Sequence, residues 1–111
     1  MGSPFVVVLT TVRSKKEANR LATLFLKTKL VACVNVVPGV TSHYSWDGKI
    51  CKDTEFLLFL KTAKTKLARL EKVLVQNHSY ETPEMIVLPI QYGLKKYLRW
   101  IEESLRPTHQ K

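Results

Sequence analysis

The sequence predicts an α+β fold of ferredoxin-like type: a βαββαβ antiparallel sheet with two helices on one face, a long second/third-strand hairpin and a C-terminal helix. Three observations lead there. Short β-rich apolar runs and segments of helical period follow one another in that order. Two long strand-like stretches meet at Asp47-Gly48, a strong two-residue hairpin signal. A chain of 111 residues also has room for only one core, so residues 1–111 form a single domain with its core at about 5–106.

The first strand is Phe5-Val-Val-Val-Leu9, apolar without alternation and hence central and buried on both faces. Ser14-Lys-Lys-Glu17 has the capping-box pattern that opens a helix, and Ala18, Leu21, Ala22 and Phe25 follow at helical spacing. Leu30 to Trp46 is strand-like, with one break at Pro38-Gly39 that predicts a bulge. Beyond the break Val40, Ser42, Tyr44 and Trp46 share one face, and Thr41, His43 and Ser45 the other. The returning strand runs from Ile50 to Thr62. Leu67, Leu70, Val73 and Leu74 form the apolar stripe of a second helix, with Asn77 as its expected C-terminal cap. Pro83 opens a strand from Glu84 to Ile90. Leu94, Tyr97, Leu98, Ile101 and Leu105 share one face of a third helix, which Pro107 stops.

Two features predict self-association. Residues 31 to 46 would reach on the order of 50 Å if straight, at about 3.3 Å each. A domain of this size has a radius of gyration near 13 Å, so the hairpin must bend or project, and projecting edges call for a partner. In the returning strand Phe56, Leu58 and Leu60 point one way and Leu57 and Phe59 the other. Helices cover one side; burying the other takes a second chain. Tyr44 and Trp46 are accordingly expected to pack against a neighbouring subunit.

Lys and Arg number 18 against 9 acids, a formal net charge of +9. Such an excess can serve anionic partners. Most of the positive residues fall on predicted helices, which favours a solvated surface, and no nucleic-acid or membrane partner is expected. The longest apolar runs, Phe5–Leu9 and Phe56–Leu60, are far short of the roughly 20 residues that span a bilayer. Cys33 and Cys51 fit no zinc spacing and read as reduced thiols, so a cytoplasmic location is the default expectation.

Polar residues stand in three places where the fold does not require them: Cys33-Val-Asn35, Lys61-Thr62, and His78-Ser-Tyr-Glu-Thr-Pro-Glu84. The candidate ligand pocket is therefore Cys33, Asn35, Lys61, Tyr80, Glu81 and Glu84. Lys61 closes five apolar residues, either as a snorkelling strand-end lysine or as the anion-binding member of a pocket with Tyr80 and Glu81. His78 either caps the second helix, where an imidazolium meets the negative end of the dipole, or serves the pocket. Cys33 is a small buried hydrophobe or a metal ligand. His43 and His109 read as surface residues. No nucleophile signature and no Gly-rich phosphate loop is present, so catalysis is not expected.

Taken together, Ala32-Cys-Val-Asn35, Val37-Pro-Gly39, Thr41-Ser42, Trp46-Asp-Gly-Lys-Ile50, Lys61-Thr62, Tyr80-Glu-Thr-Pro-Glu84, Leu88-Pro-Ile90 and Tyr97-Leu-Arg-Trp100 closely resemble the CutA divalent-cation tolerance family. The resemblance runs from about residue 5 to 106. It implies a subunit of a tight homotrimer similar to the PII signalling proteins, with a role in tolerance of divalent metal ions, copper above all. In bacterial members discussed as copper binders, the suggested ligands are a Cys near the end of the first strand and two adjacent His before the Tyr-x-Thr-Pro-Glu segment. The matching positions here are Thr10, Asn77 and His78, and the usual Pro after that His is Ser79. Copper(II) sites want two or more nitrogen or sulfur donors. The resemblance therefore implies at most weak binding of copper(II) or another divalent cation, through His78 with help from Glu81 or a neighbouring subunit.

Two other classes share this element order. An RNA-binding module of RRM topology would stack bases on its central strands, but Thr54–Lys61 lacks the aromatic signature of that fold. An acylphosphatase-type enzyme could use Arg13 in the first strand-to-helix loop, but no further phosphate-cradling pattern accompanies it.

Overall fold

A computed structural model describes residues 3–107. Strand β1 (Phe5–Val12) is followed by helix α1 (Lys15–Lys27), the hairpin β2 (Cys33–Trp46) and β3 (Lys49–Ala63), helix α2 (Leu67–Asn77), strand β4 (Ile86–Pro89) and helix α3 (Lys95–Ser104). The sheet is antiparallel with order β2-β3-β1-β4, which places the first strand inside as its unbroken apolar run requires. β4 is shorter than expected. Its ladder with β1 ends at Leu9↔Ile86, leaving Glu84 and Met85 in the approach loop.

Each strand of the core divides its side chains between two faces. Val6, Val8, Thr10 and Val12 of β1 share one face with Leu58, Leu60 and Thr62 of β3. There they meet Ala18, Leu21 and Phe25 of α1 and Leu70 and Leu74 of α2 in a single buried cluster. The opposite face carries Val7 and Leu9, Leu57 and Phe59, and Ile86 and Leu88. Only its near end is covered. Ile101 of α3 and Leu105 at its C-cap close over Phe5, Ala32 and Ala63. Ile86 and Leu88 remain 48% and 45% exposed.

Between Val37 and Val40 the register shifts, and Gly39 sits at φ +70°, in the left-handed region where a side chain is disfavoured. That is the expected bulge. Beyond it the hairpin projects, giving principal extents of 52 × 35 × 23 Å and a radius of gyration of 15.1 Å, above the roughly 13 Å of a compact domain this size. At its tip Trp46 is 67% and Ile50 82% exposed. The Tyr44 hydroxyl donates to Asp53 across the hairpin, and that hydrogen bond to a carboxylate pushes the phenol up to about 12.

Ser14 caps α1 as expected, its Oγ accepting from Glu17 N–H at 3.1 Å. The reciprocal half of the box is missing, because the Glu17 carboxylate is engaged elsewhere. Asn77 is the last helical residue of α2 and donates its side-chain amide to Val73 O at 2.8 Å; the cap position itself falls on His78. His43 is exposed as expected, and His109 lies outside the described residues.

Candidate functional site

The six expected pocket residues separate into two groups, one at the C-terminal end of β3 and the other beside its middle. At the α3 end, Cys33 lies opposite Lys61 in the β2–β3 register, and Asn35 lies opposite Phe59, so all three belong to the open face. The Lys61 Nζ stands 5.6 Å from the centroid of the Tyr97 ring, a cation–π distance, and Tyr97 stacks on Trp100 at 5.6 Å. No carboxylate lies within ion-pair distance of Lys61 among the described residues. Cys33 is half-buried rather than a core hydrophobe. A lysine without an acidic partner among the described residues, beside an aromatic ring and paired across the strands with a cysteine, suits an anionic group with apolar parts.

The other group is built around the loop after α2. The Tyr80 hydroxyl donates to Glu55, a carboxylate only 9% exposed, and the Arg13 guanidinium lies 5.1 Å over the Tyr80 ring. Burial first, and then the hydrogen bond to Glu55 and its charge, hold the Tyr80 phenol well above the usual range; Arg13 offsets part of this. Glu81 is exposed and Glu84 half-buried, and neither forms an ion pair among the described residues.

Glu17 and His78 tie this loop to the helix layer. One Glu17 carboxylate oxygen accepts Ser79 N–H and the other Ser79 Oγ–H, both at 2.8 Å. Burial works to raise the Glu17 carboxyl. The Ser79 N–H and hydroxyl, with the nearby Arg20 charge, outweigh it and leave the group below its ordinary value. The His78 side chain is fully buried. Its Nδ1 accepts Tyr80 N–H at 3.0 Å, which assigns the ring proton to Nε2, 2.8 Å from Thr11 O. His78 therefore does not cap α2 as a cation; only its backbone N–H closes the helix, on Leu74 O.

Glu55 and Lys61 are six residues apart on one strand, so the two groups lie about 20 Å apart at 3.3 Å per residue. The expected single pocket of Lys61 with Tyr80 and Glu81 is thus not formed within one chain. Sequence reasoning missed Glu17, Glu55, Tyr97 and Trp100 as members of these clusters. Glu17 read as a cap and Tyr97 as helix core; Glu55 had only its position before an apolar run to mark it. Among the described residues, no three His, Cys, Asp or Glu side chains converge as metal ligands.

The family described as "CutA1 divalent ion tolerance protein" matches residues 6–104. A chloroplastic CutA 1 protein of Oryza sativa subsp. japonica is 46% identical over 105 residues, covering 95% of this chain and 59% of the rice protein. The chain thus spans a little under six-tenths of the plant relatives it matches. A divalent-cation tolerance protein CutA of Thermus thermophilus is 41% identical over 98 residues, 88% of this chain and 95% of its own length. Among solved structures, that of CutA1 from Oryza sativa superposes with a TM-score of 0.91 at 44% identity, covering 96% of this chain and 98% of that one. The periplasmic divalent cation tolerance protein CutA from Archaeoglobus fulgidus gives 0.89 at 39% identity, with 92% and 99% covered. The RNA-binding alternative finds no support in these relatives.

Proposed function

The chain belongs to the CutA1 divalent ion tolerance family, and from that premise we propose that it works as a homotrimeric binding protein in divalent-ion tolerance, not as a catalyst. One observation carries the assembly. The sheet face away from α1 and α2 presents Val7, Leu9, Leu57, Phe59, Ile86 and Leu88 with only its α3 end covered. Each such side chain contributes roughly 1.5–3 kcal/mol when fully buried. Copies closing face to face bury this row together with the hairpin tips, and the cyclic arrangement similar to the PII proteins sets the number at three.

The split site fits the same reading. Cys33, Asn35 and Lys61 line one wall of a cleft, and Tyr80, Glu81 and Glu84 of a neighbouring copy line the other. A small anionic ligand, or one carrying a divalent cation to the free carboxylates, bridges the two. Light scattering at micromolar concentration should return three times the 12.8 kDa subunit mass. Phe59→Asp, which puts a charge in the middle of the open face, should return one subunit mass with an unchanged far-ultraviolet spectrum. A wild-type monomer, or a trimer untouched by Phe59→Asp, would refute the face as the interface.

A further inference from the structure

The positions that the resemblance links to copper carry a donor set that does not suit it. The Thr10 side chain is wholly buried on the helix face, and its hydroxyl, a hard neutral oxygen, has no hydrogen-bond partner among the described residues. Asn77 spends its amide on the last turn of α2. An imidazole binds metal through an unprotonated nitrogen, and the only such lone pair on His78, at Nδ1, is occupied by Tyr80 N–H.

We propose that in this chain the histidine among the copper-associated positions holds a loop instead of a metal: His78, together with Glu17, is a positioning residue that pins the backbone at Ser79 and Tyr80 and so presents Tyr80 to Glu55. Two successive backbone N–H groups are captured by side chains, Ser79 N–H by Glu17 and Tyr80 N–H by His78. From its other nitrogen His78 is anchored on β1 at Thr11 O. Its ring stands 4.8 Å from that of Tyr80, whose hydroxyl ends on Glu55. Ser79 is essential to this arrangement. A proline there, usual in the family, has no N–H and no hydroxyl, so neither bond to Glu17 could form. Every group involved belongs to one chain, so the inference stands apart from the trimer reading.

The test uses the wild-type protein and copper(II) alone. Long-range nitrogen–proton spectra at neutral pH should show His78 with its proton on Nε2, and its ring signals should stay sharp when one equivalent of copper(II) is added. A proton on Nδ1, or broadening of His78 at substoichiometric copper, overturns the proposal. His78→Ala should leave copper(II) affinity within twofold of wild type; a tenfold loss overturns it independently. Glu17→Gln should speed amide exchange at Ser79 and Tyr80 at least tenfold while β1 amides are unchanged. Ser79→Pro should speed Tyr80 exchange similarly and add nothing further in the Glu17→Gln background. Unchanged exchange, or fully additive effects, would reduce Glu17 to a bystander.

Discussion

Trp46→Ala separates the stability of the subunit from that of the assembly. In the single chain Trp46 is 67% exposed at the hairpin tip, so its truncation should change subunit stability by no more than about 0.5 kcal/mol. The exposed share is what a neighbour can bury. An indole offers roughly 150–250 Å² in all, so about 100–170 Å² is left, worth roughly 2.5–4 kcal/mol at ~25 cal/mol per Å². Not all buried area becomes affinity, and about 2 kcal/mol is a safer lower bound for an interface tryptophan. Three tips multiply the loss to roughly 6–12 kcal/mol. The concentration at half dissociation of a trimer varies as the square root of its dissociation constant. It should therefore rise on the order of a hundredfold to ten-thousandfold at 1.4 kcal/mol per factor of ten. Sedimentation of labelled wild type and variant over a dilution series measures that concentration, and circular dichroism checks that the variant is folded. Coincident dilution curves would show that the tip meets no neighbour.

Glu17→Gln should also remove an acid-sensitive part of the stability. The folded carboxyl sits below its ordinary 4.5, so its contribution is present above that value and is lost as pH falls through the lower folded one. Denaturant titrations should find the variant less stable by about 1.5–3 kcal/mol at neutral pH, the range of a charged hydrogen bond, with the gap closing below about pH 4.5; a pH-independent gap would contradict the linkage. Gly39→Ala should destabilise the subunit by about 1–2 kcal/mol through backbone strain alone. A methyl at Gly39 would meet nothing within 4 Å. An equally stable alanine variant would mean that the bulge relaxes into another register.

The fold was legible because its signals are local. The bulge needed only Pro38-Gly39, the hairpin only Asp47-Gly48, and the two fates of β3 only the alternation from Phe56 to Leu60. The candidate site was legible as residue types but not as a place. Lys61 and Tyr80 stand out in the sequence as polar residues at conspicuous places, yet Tyr80 ends on Glu55, and the strand length between Glu55 and Lys61 keeps the two apart in one chain. Which point on the strand Tyr80 meets is a tertiary contact, and a list of conspicuous residues does not contain it.

Glu17 shows the same limit at the scale of one side chain. Ser14-Lys-Lys-Glu17 satisfies the capping-box pattern, and the serine half forms because its partner N–H is three residues away on the same turn. The glutamate half competes with a group 62 residues distant that supplies two donors at 2.8 Å. The box offers the glutamate a single N–H at the edge of solvent. The loop offers a backbone N–H and a hydroxyl, with Arg20 alongside, in a place where the carboxylate is largely shielded from water. Two charge-assisted bonds outweigh one, so the local motif gives way and the carboxylate turns to Ser79. The motif foretells where α1 begins; the donors that α2 and its loop bring to α1 decide what Glu17 does there.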